Sequence, residues 1–297
     1  GGYGLGLTGV WAEANTREAI AEALRSRRTV AVTGDRIAIE LRAGEACMGS
    51  AVDTDAGREL SWQVTGWDRI QQVTLVRDNE PVWSSPAPAE VDPWAPQAYR
   101  LRFEWGWGPM KGYQIFDWEG SLRVDGGQLQ QVVPCFASDP FDEVRRKRVL
   151  DQDAASCHWQ SHTSRGGVLT TRNSLTPYAA NDALCVEVVG TPDTVVSLRL
   201  GCNTRQSLMA TPVDWTLGNA SAVLNERMTI GQLLKGRIGL HLDGVPTHVV
   251  AHRALPESAY TVTGTHSHPE DLGPAYYYLR VLQENGQMAW SSPIWLD

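Results

Sequence analysis

Several familiar signatures are missing from this chain of 297 residues. No GxSxG elbow, HExxH helix or phosphate-binding loop occurs, so the local marks of α/β-hydrolases, zinc peptidases and P-loop NTPases are absent. The five cysteines, Cys47, Cys135, Cys157, Cys185 and Cys202, are odd in number and include no C-x-x-C pair. Zinc-ribbon and thioredoxin-type arrangements therefore fail on spacing. Buried free thiols are expected, with one or two disulfides left open. No run approaches the roughly 18 uncharged apolar residues of a membrane helix, so no transmembrane segment is expected. Positive charge is in deficit, with 26 Lys and Arg against 34 Asp and Glu for a net charge of −8. Such a surface repels a phosphate backbone, and no nucleic-acid partner is expected. Position 1 is Gly and no signal-peptide pattern follows it, so the chain is read as starting inside a longer protein.

Phenylalanine is scarce at 4, whereas tryptophan reaches 12. A core or a binding face is therefore built on indoles, each wanting a partner for its N–H. Apolar residues make up 42% and charged residues 20%, enough for packed cores and unlike a disordered chain.

One helix is legible near the start. Asn15 can cap it, with Glu18 three residues on. Ile20, Ala23 and Leu24 share a face, and Arg25, Arg27 and Arg28 crowd the C-terminal dipole end. Residues 7–11 and 29–33 flank it as short strands. The unit reads as βαβ and favours parallel pairing with a right-handed crossover. Beyond Thr33-Gly34-Asp35-Arg36, short alternating runs take over, at 37–41, 60–64, 73–76, 99–105, 121–124, 184–189, 195–200 and 276–282. Many short strands separated by turn residues indicate sandwiches or barrels, so the chain is expected to be mainly β, with Ig-like β-sandwich domains. A second helix is suggested at 142–150. Residues 86–96, rich in Pro and Ala, read as a linker.

Gly4, Gly6 and Gly9 match GxGxxG literally, but a dinucleotide fingerprint needs a strand before and a helix after, and here a strand follows. Cys157, His158 and His162 tempt a metal assignment. In a strand, however, four residues span about 13 Å, too far for imidazoles that must each sit about 2 Å from one ion. His266 and His268 are weak metal candidates, because i and i+2 side chains in a strand point the same way; the alternative is a solvated turn. Trp105 and Trp107 would share a strand face with Trp118 near them, either as core or as an exposed aromatic platform for a sugar.

Three stretches together carry a resemblance. They are LTGVWAEANTREAIAEALRSRRTVAVTGDRI at 7–37, the Trp- and Gly-rich middle (WGWG at 105–108, DWEGSLRVDGG at 117–127, HWQSHTSRGG at 158–167), and YYYLRVLQENGQMAWSSPIWLD at 276–297. The chain resembles the C-terminal part of PHP-like metallohydrolases (the polymerase and histidinol phosphatase superfamily), in a subgroup catalogued as a domain of unknown function. The resemblance implies a parent enzyme that uses a divalent metal (Mn, Zn or Fe) on phosphoesters or related bonds. The metal ligands would lie on an N-terminal barrel that this chain lacks, so no catalytic residue, metal ligand or cofactor is assigned to the chain itself.

The resemblance implies that residues 1–36 are a βαβ remnant of the barrel. Each terminal piece beyond it has too few strands to bury its apolar side alone, so 37–97 with 266–297 would form a discontinuous Ig-like sandwich and 98–265 a larger inserted sandwich. The ends of the two barrel strands, Trp11 and Glu13 on one and Asp35 and Arg36 on the other, would then face the substrate mouth. There Arg36 could hold an anionic oxygen and Asp35 could order Arg36 or a metal-bound water; alternatively Asp35 only ties down backbone N–H groups in a turn. The expected function is an accessory β region of the hydrolase. The alternatives are a carbohydrate-binding module using Trp105, Trp107 and Trp118, and a structural or assembly domain. The expected partner is the missing barrel, with a second copy of the chain left open as another.

Overall fold

A computed structural model describes residues 6–54, 58–85, 92–106, 114–135, 147–163, 168–171, 174–176, 181–206, 220–245 and 247–297. Over these residues the chain is mainly β, in several sheets and with no barrel. It divides into two compact units, Gly1–Val91 with Glu257–Asp297, and Asp92–Pro256.

In the first unit, β1 (Leu7–Val10), α1 (Arg17–Arg25) and β2 (Thr29–Val32) come first. The parallel crossover expected here is not formed. β1 and β2 are antiparallel neighbours, with Val10 opposite Thr29 and Leu7 opposite Val32. The helix therefore leaves and returns at the same end of the pair, as an excursion within a hairpin. Its exit explains why. The Arg28 N–H reaches Ala23 O and the Arg27 N–H reaches Leu24 O, with Arg27 in the left-handed region at φ 55°. This Schellman closure turns the chain straight back into β2. Glycine is usual at that position. Here Arg27 is held by its Nε–H, which donates to Gly49 O at 3.1 Å. Gly49 itself sits at φ +92°, where a Cβ would lie 2.2 Å from Ser26 O. Thr16, not Asn15, caps the helix, accepting from the Ala19 N–H.

The strands that follow are β3 (Ala38–Ala43), β4 (Ala46–Cys47), β5 (Ala51–Val52), β6 (Glu59–Thr65), β7 (Ile70–Arg77) and β8 (Glu80–Ser85). Asp78 and Asn79, at φ 49° and 69°, make the two-residue turn between the last two.

The second unit starts with β9 (Gln97–Gly106), β10 (Gln114–Asp125), β11 (Gln128–Cys135), β12 (Arg148–Gln152) and β13 (Ser156–Thr163). It continues with the small hairpin β14 (Val168–Thr171) and β15 (Ser174–Thr176), then β16 (Asn181–Gly190), β17 (Val195–Gln206) and β18 (Ser221–Thr229). It closes with α2 (Ile230–Leu234), β19 (Ile238–His241), β20 (His248–Ala251) and β21 (Leu255–Pro256). Two antiparallel sheets, β11-β16-β9-β20-β19 and β12-β13-β10-β17-β18, share one apolar core, in which Leu101, Phe103, Trp105, Leu184 and Val186 meet Trp118, Leu122, Trp159, Leu198 and Leu200. The helix suggested at 142–150 does not form over its described part, because residues 148–150 belong to β12, paired with β13. Charged residues on an exposed edge strand mimic a solvated helix face in sequence.

The chain then re-enters the first unit through α3 (Glu257–Tyr260), β22 (Thr261–Ser267), β23 (Ala275–Gln283), β24 (Met288–Ser291) and β25 (Ile294–Leu296). One sheet of this unit runs β1-β2-β24-β23-β25-β5, with β7 also on β23 and β8 on β7; the other runs β22-β6-β3-β4. Pairing of β7 with β23 joins distant parts of the chain, Leu75 lying opposite Leu279. Alternation fixes which side is buried. Ile39 and Leu41 of β3, Leu60, Trp62 and Val64 of β6, and Tyr277, Leu279 and Val281 of β23 all enter one core. Among the described strands β1 lies at a sheet edge.

Candidate functional site

Edge strand β1 builds an open apolar groove on the first unit. The groove, of about 390 Å³, runs along the strand, lined by Leu7, Val10, Trp11, Val32, Arg36 and Ile37 among others, and is apolar apart from Thr8 and Arg36. Trp11 is fixed at one side of it. Its Nε1–H donates to Ile39 O at 2.9 Å and its backbone N–H to Arg28 O, yet 43% of the residue stays exposed. The other side of the indole borders a second groove of about 170 Å³, shared with Glu13, Arg28, Glu40, Arg42 and Met48. There Arg42 and Glu40 pair at 2.6 Å. Leu7 and Leu24 are about half exposed as well.

The shared mouth expected for Trp11, Glu13, Asp35 and Arg36 is not formed as such. Antiparallel pairing puts Trp11 and the Thr33–Arg36 turn at opposite ends of the β1–β2 ladder. The structure brings Trp11 and Arg36 onto one groove and leaves Glu13 on the neighbouring one. Asp35 is engaged elsewhere. Its Oδ2 accepts from Gln283 Nε2 at 2.8 Å and Asn285 Nδ2 at 2.6 Å. Gln283 is fully buried, and its Oε1 accepts the Trp67 and Asp68 N–H groups at 2.9 and 3.2 Å. Asp35 thus fastens the turn to the β23–β24 connection, through side-chain amides where backbone N–H groups were the expected partners.

His266 lies in β22, and His268 follows it, buried. His268 Nε2 lies 3.2 Å from Leu272 O, a carbonyl that can only accept, so Nε2 carries the proton and Nδ1 accepts from the Tyr277 hydroxyl at 2.8 Å. Both nitrogens are used. Burial, then the Arg77 charge, holds the His266 imidazole below its ordinary pKa. Among the described residues no three His, Cys, Asp or Glu side chains converge where a metal ion could sit. The described residues therefore offer no three-ligand set for the divalent metal implied for the parent enzyme.

Trp105 and Trp118 are buried, and their indole N–H groups donate to Ser161 Oγ at 3.0 Å and Thr163 Oγ1 at 2.9 Å. A sugar cannot stack on either, and the third platform candidate, Trp107, lies outside the described residues. Close to Trp105 in the same core, Lys147 Nζ meets Asp182 Oδ1 at 2.8 Å with both side chains almost fully buried. Burial pushes the Asp182 carboxyl up, with Lys147 beside it pulling the other way.

A polar face of the second unit escaped the reading of motifs. Glu104 alternates with Phe103 and Trp105 and so projects away from the core. Its Oε2 accepts from His252 Nε2 at 3.1 Å, its Oε1 accepts from Asn181 Nδ2 at 3.0 Å, and His248 Nε2 lies 3.6 Å from Oε1. Glu104 stands opposite Val250, which places His248 and His252 diagonally on either side of it. The His252 hydrogen bond outweighs partial burial, and with the Arg102 and imidazole charges it lowers the Glu104 carboxyl to about 2. These are direct donor–acceptor contacts around a carboxylate. Continuing across the same face, Arg102 stands opposite Cys185, and Cys135 lies beside Cys185. In sequence only the alternation H-V-V-A-H hinted that His248 and His252 share a face.

A family model described as a protein of unknown function (DUF3604) matches residues 3–62. That stretch contains every residue lining the two grooves. Two uncharacterized proteins, from Chlamydia trachomatis serovar D and Chlamydia muridarum, are each 70% identical to this chain over 30 residues, which is 10% of this chain and 5% of theirs. The shared segment is thus a small fraction of those relatives' length. Among solved structures, the membrane-inserted form of the NetB toxin of Clostridium perfringens aligns over 92% of this chain and 96% of its own at 6% identity, with a TM-score of 0.12. A score that low carries no fold relationship.

Proposed function

We propose that this chain is an accessory β region of a PHP-like, metal-dependent hydrolase, acting on phosphoesters or related bonds through a metal held by another domain. Its first unit is read as an Ig-like sandwich that braces that domain. The observation that carries this reading is the position of the exposed apolar surface. Leu7, Trp11 and Leu24 are exposed within one short stretch inside the segment that matches the family model; Leu7, on edge strand β1, and Trp11, just after it, line the apolar groove. Exposed apolar residues gathered in this way mark an interaction face, and an unpaired strand edge adds hydrogen-bonding capacity to it. Arg36, at the groove, would meet an acidic group of the partner or an anionic part of its substrate. The metal ligands belong to the partner in this reading, in keeping with the hydrogen-bonded state of His268.

The test is direct. With Mn²⁺ or Zn²⁺ added, the isolated chain is expected not to hydrolyse p-nitrophenyl phosphate. Turnover that chelators abolish and His266→Ala removes would overturn the proposal. A structural or assembly role is the second reading, favoured by the same exposed strip. It would show as a tight oligomer that persists on dilution, whereas an accessory face left without its partner associates weakly and only at high concentration.

A further inference from the structure

We propose that Cys135 and Cys185 form a thiol–disulfide exchange site that takes low-molecular-weight disulfides. β11 and β16 pair antiparallel, with Cys135 opposite Ala183 and Cys185 opposite Val133. The two cysteines are therefore diagonal neighbours on one face of the sheet, the face that also carries Arg102 and Glu104. Their sulfurs lie 3.4 Å apart. An S–S bond needs an approach to roughly 2.05 Å. Cys135 is the last residue of its strand, so that approach bends a strand end and leaves the centre of the ladder in place.

The two thiols differ in access, and the difference assigns their roles. Cys135 is half-buried, whereas Cys185 is 1% exposed. Cys135 is the thiol an incoming disulfide can reach, and Cys185 is the one that resolves the product. Arg102 stands directly across from Cys185 on β9, with its Nε 4.0 Å from Glu104 Oε2. The remaining cysteines set the contrast. Cys157 and Cys202 lie in the apolar core of the facing sheet, and burial pushes both thiols up to about 12. Cys47 belongs to the first unit.

The chemistry balances without a cofactor. The Cys135 thiolate attacks one sulfur of the small disulfide RSSR, forming a mixed disulfide and releasing RS⁻. The Cys185 thiolate then attacks Cys135 Sγ, forming the Cys135–Cys185 bond and releasing the second RS⁻. The two protons given up by the cysteines end on the two released thiols, so the protein pair is oxidised and RSSR is reduced to two RSH.

The experiment exposes the full chain to oxidised glutathione, alkylates the remaining thiols, and reads intact mass and cysteine-linked peptides. The wild type is expected to lose two hydrogens, to show a Cys135–Cys185 peptide, and to regain both thiols with dithiothreitol. Preorganised sulfurs should link at least about tenfold faster in the folded chain than in denaturing urea. Cys185→Ala is expected to trap one glutathione on Cys135, and Cys135→Ala to leave residue 185 unmodified. Equal rates with and without urea, linkage of any other pair, or a wild-type chain modified only at Cys47 would each overturn the proposal.

Discussion

The two units share one packing device and differ in what they leave uncovered. In each, a tryptophan lies across a glycine on the neighbouring strand, Trp62 opposite Gly264 in the first and Trp159 opposite Gly120 in the second. Neither of these indole N–H groups has a hydrogen-bond partner among the described residues, so both rings are held by packing. The second unit pairs three other buried polar side chains internally, Trp105 with Ser161, Trp118 with Thr163, and Lys147 with Asp182 Oδ1. Its exposed large apolar residues, Trp94, Leu150 and Val223, come from separate parts of the chain. The first unit exposes Leu272 apart from the rest, but gathers Leu7, Trp11 and Leu24 along one short stretch. Scattered exposed hydrophobes are ordinary, whereas a cluster at a sheet edge is a surface waiting to be covered.

The largest effect should come from the buried ion pair of the second unit. Lys147→Met strands the Asp182 carboxylate in the core and is expected to cost about 3–5 kcal/mol in urea unfolding. Pairing it with Asp182→Leu should recover most of that loss. A single substitution with no cost would show that the pair is hydrated, and the sealed second unit would lose its support.

Next come the two glycines. A Cβ at Gly120 would lie 2.1 Å from the Trp159 ring, and one at Gly264 would lie 2.4 Å from the Trp62 ring. Gly120→Ala and Gly264→Ala should each cost at least the roughly 1–3 kcal/mol of overpacking. A loss confined to one of them would break the shared device.

Glu104 has a pH signature of its own. Its carboxyl titrates near 2 in the fold against an ordinary 4.5. The stabilisation is complete above about pH 4.5 and disappears as pH falls through about 2, amounting to roughly 2 kcal/mol after allowance for solvent. In Glu104→Gln, acid titration of stability should flatten across that window. An unchanged acid profile would remove the polar face from the account.

The smallest difference concerns the helix starts. Thr229 caps α2 in a reciprocal capping box with Gln232, whereas Thr16 caps α1 by a single bond. Thr229→Ala should cost more than Thr16→Ala, both within about 0.5–2 kcal/mol by thermal unfolding.

Much of the strand content was legible. The runs at 60–64, 73–76, 184–189, 195–200 and 276–282 all fall inside observed strands, because alternation reports the buried side directly. The direction of β1 was not legible. A strand–helix–strand pattern has the same hydrophobic period whether the helix crosses the sheet or only loops out of a hairpin, and here the Arg27 exit decides it. Trp11 and Arg36 could be singled out, but their shared groove depends on that same pairing. The polar face was hidden for a different reason. Glu104 meets Asn181 across 77 residues and His252 across 148, so only strand order brings them together. Cys135 and Cys185 meet across 50 residues in the same way.

Sedimentation velocity on the isolated chain tests the uncovered surface most directly, comparing the wild type with the double variant Leu7→Asp, Leu24→Asp. The account predicts concentration-dependent self-association of the wild type, abolished in a variant that keeps the wild-type unfolding midpoint. A wild-type chain that stays monomeric at high concentration and does not bind a hydrophobic dye would contradict it.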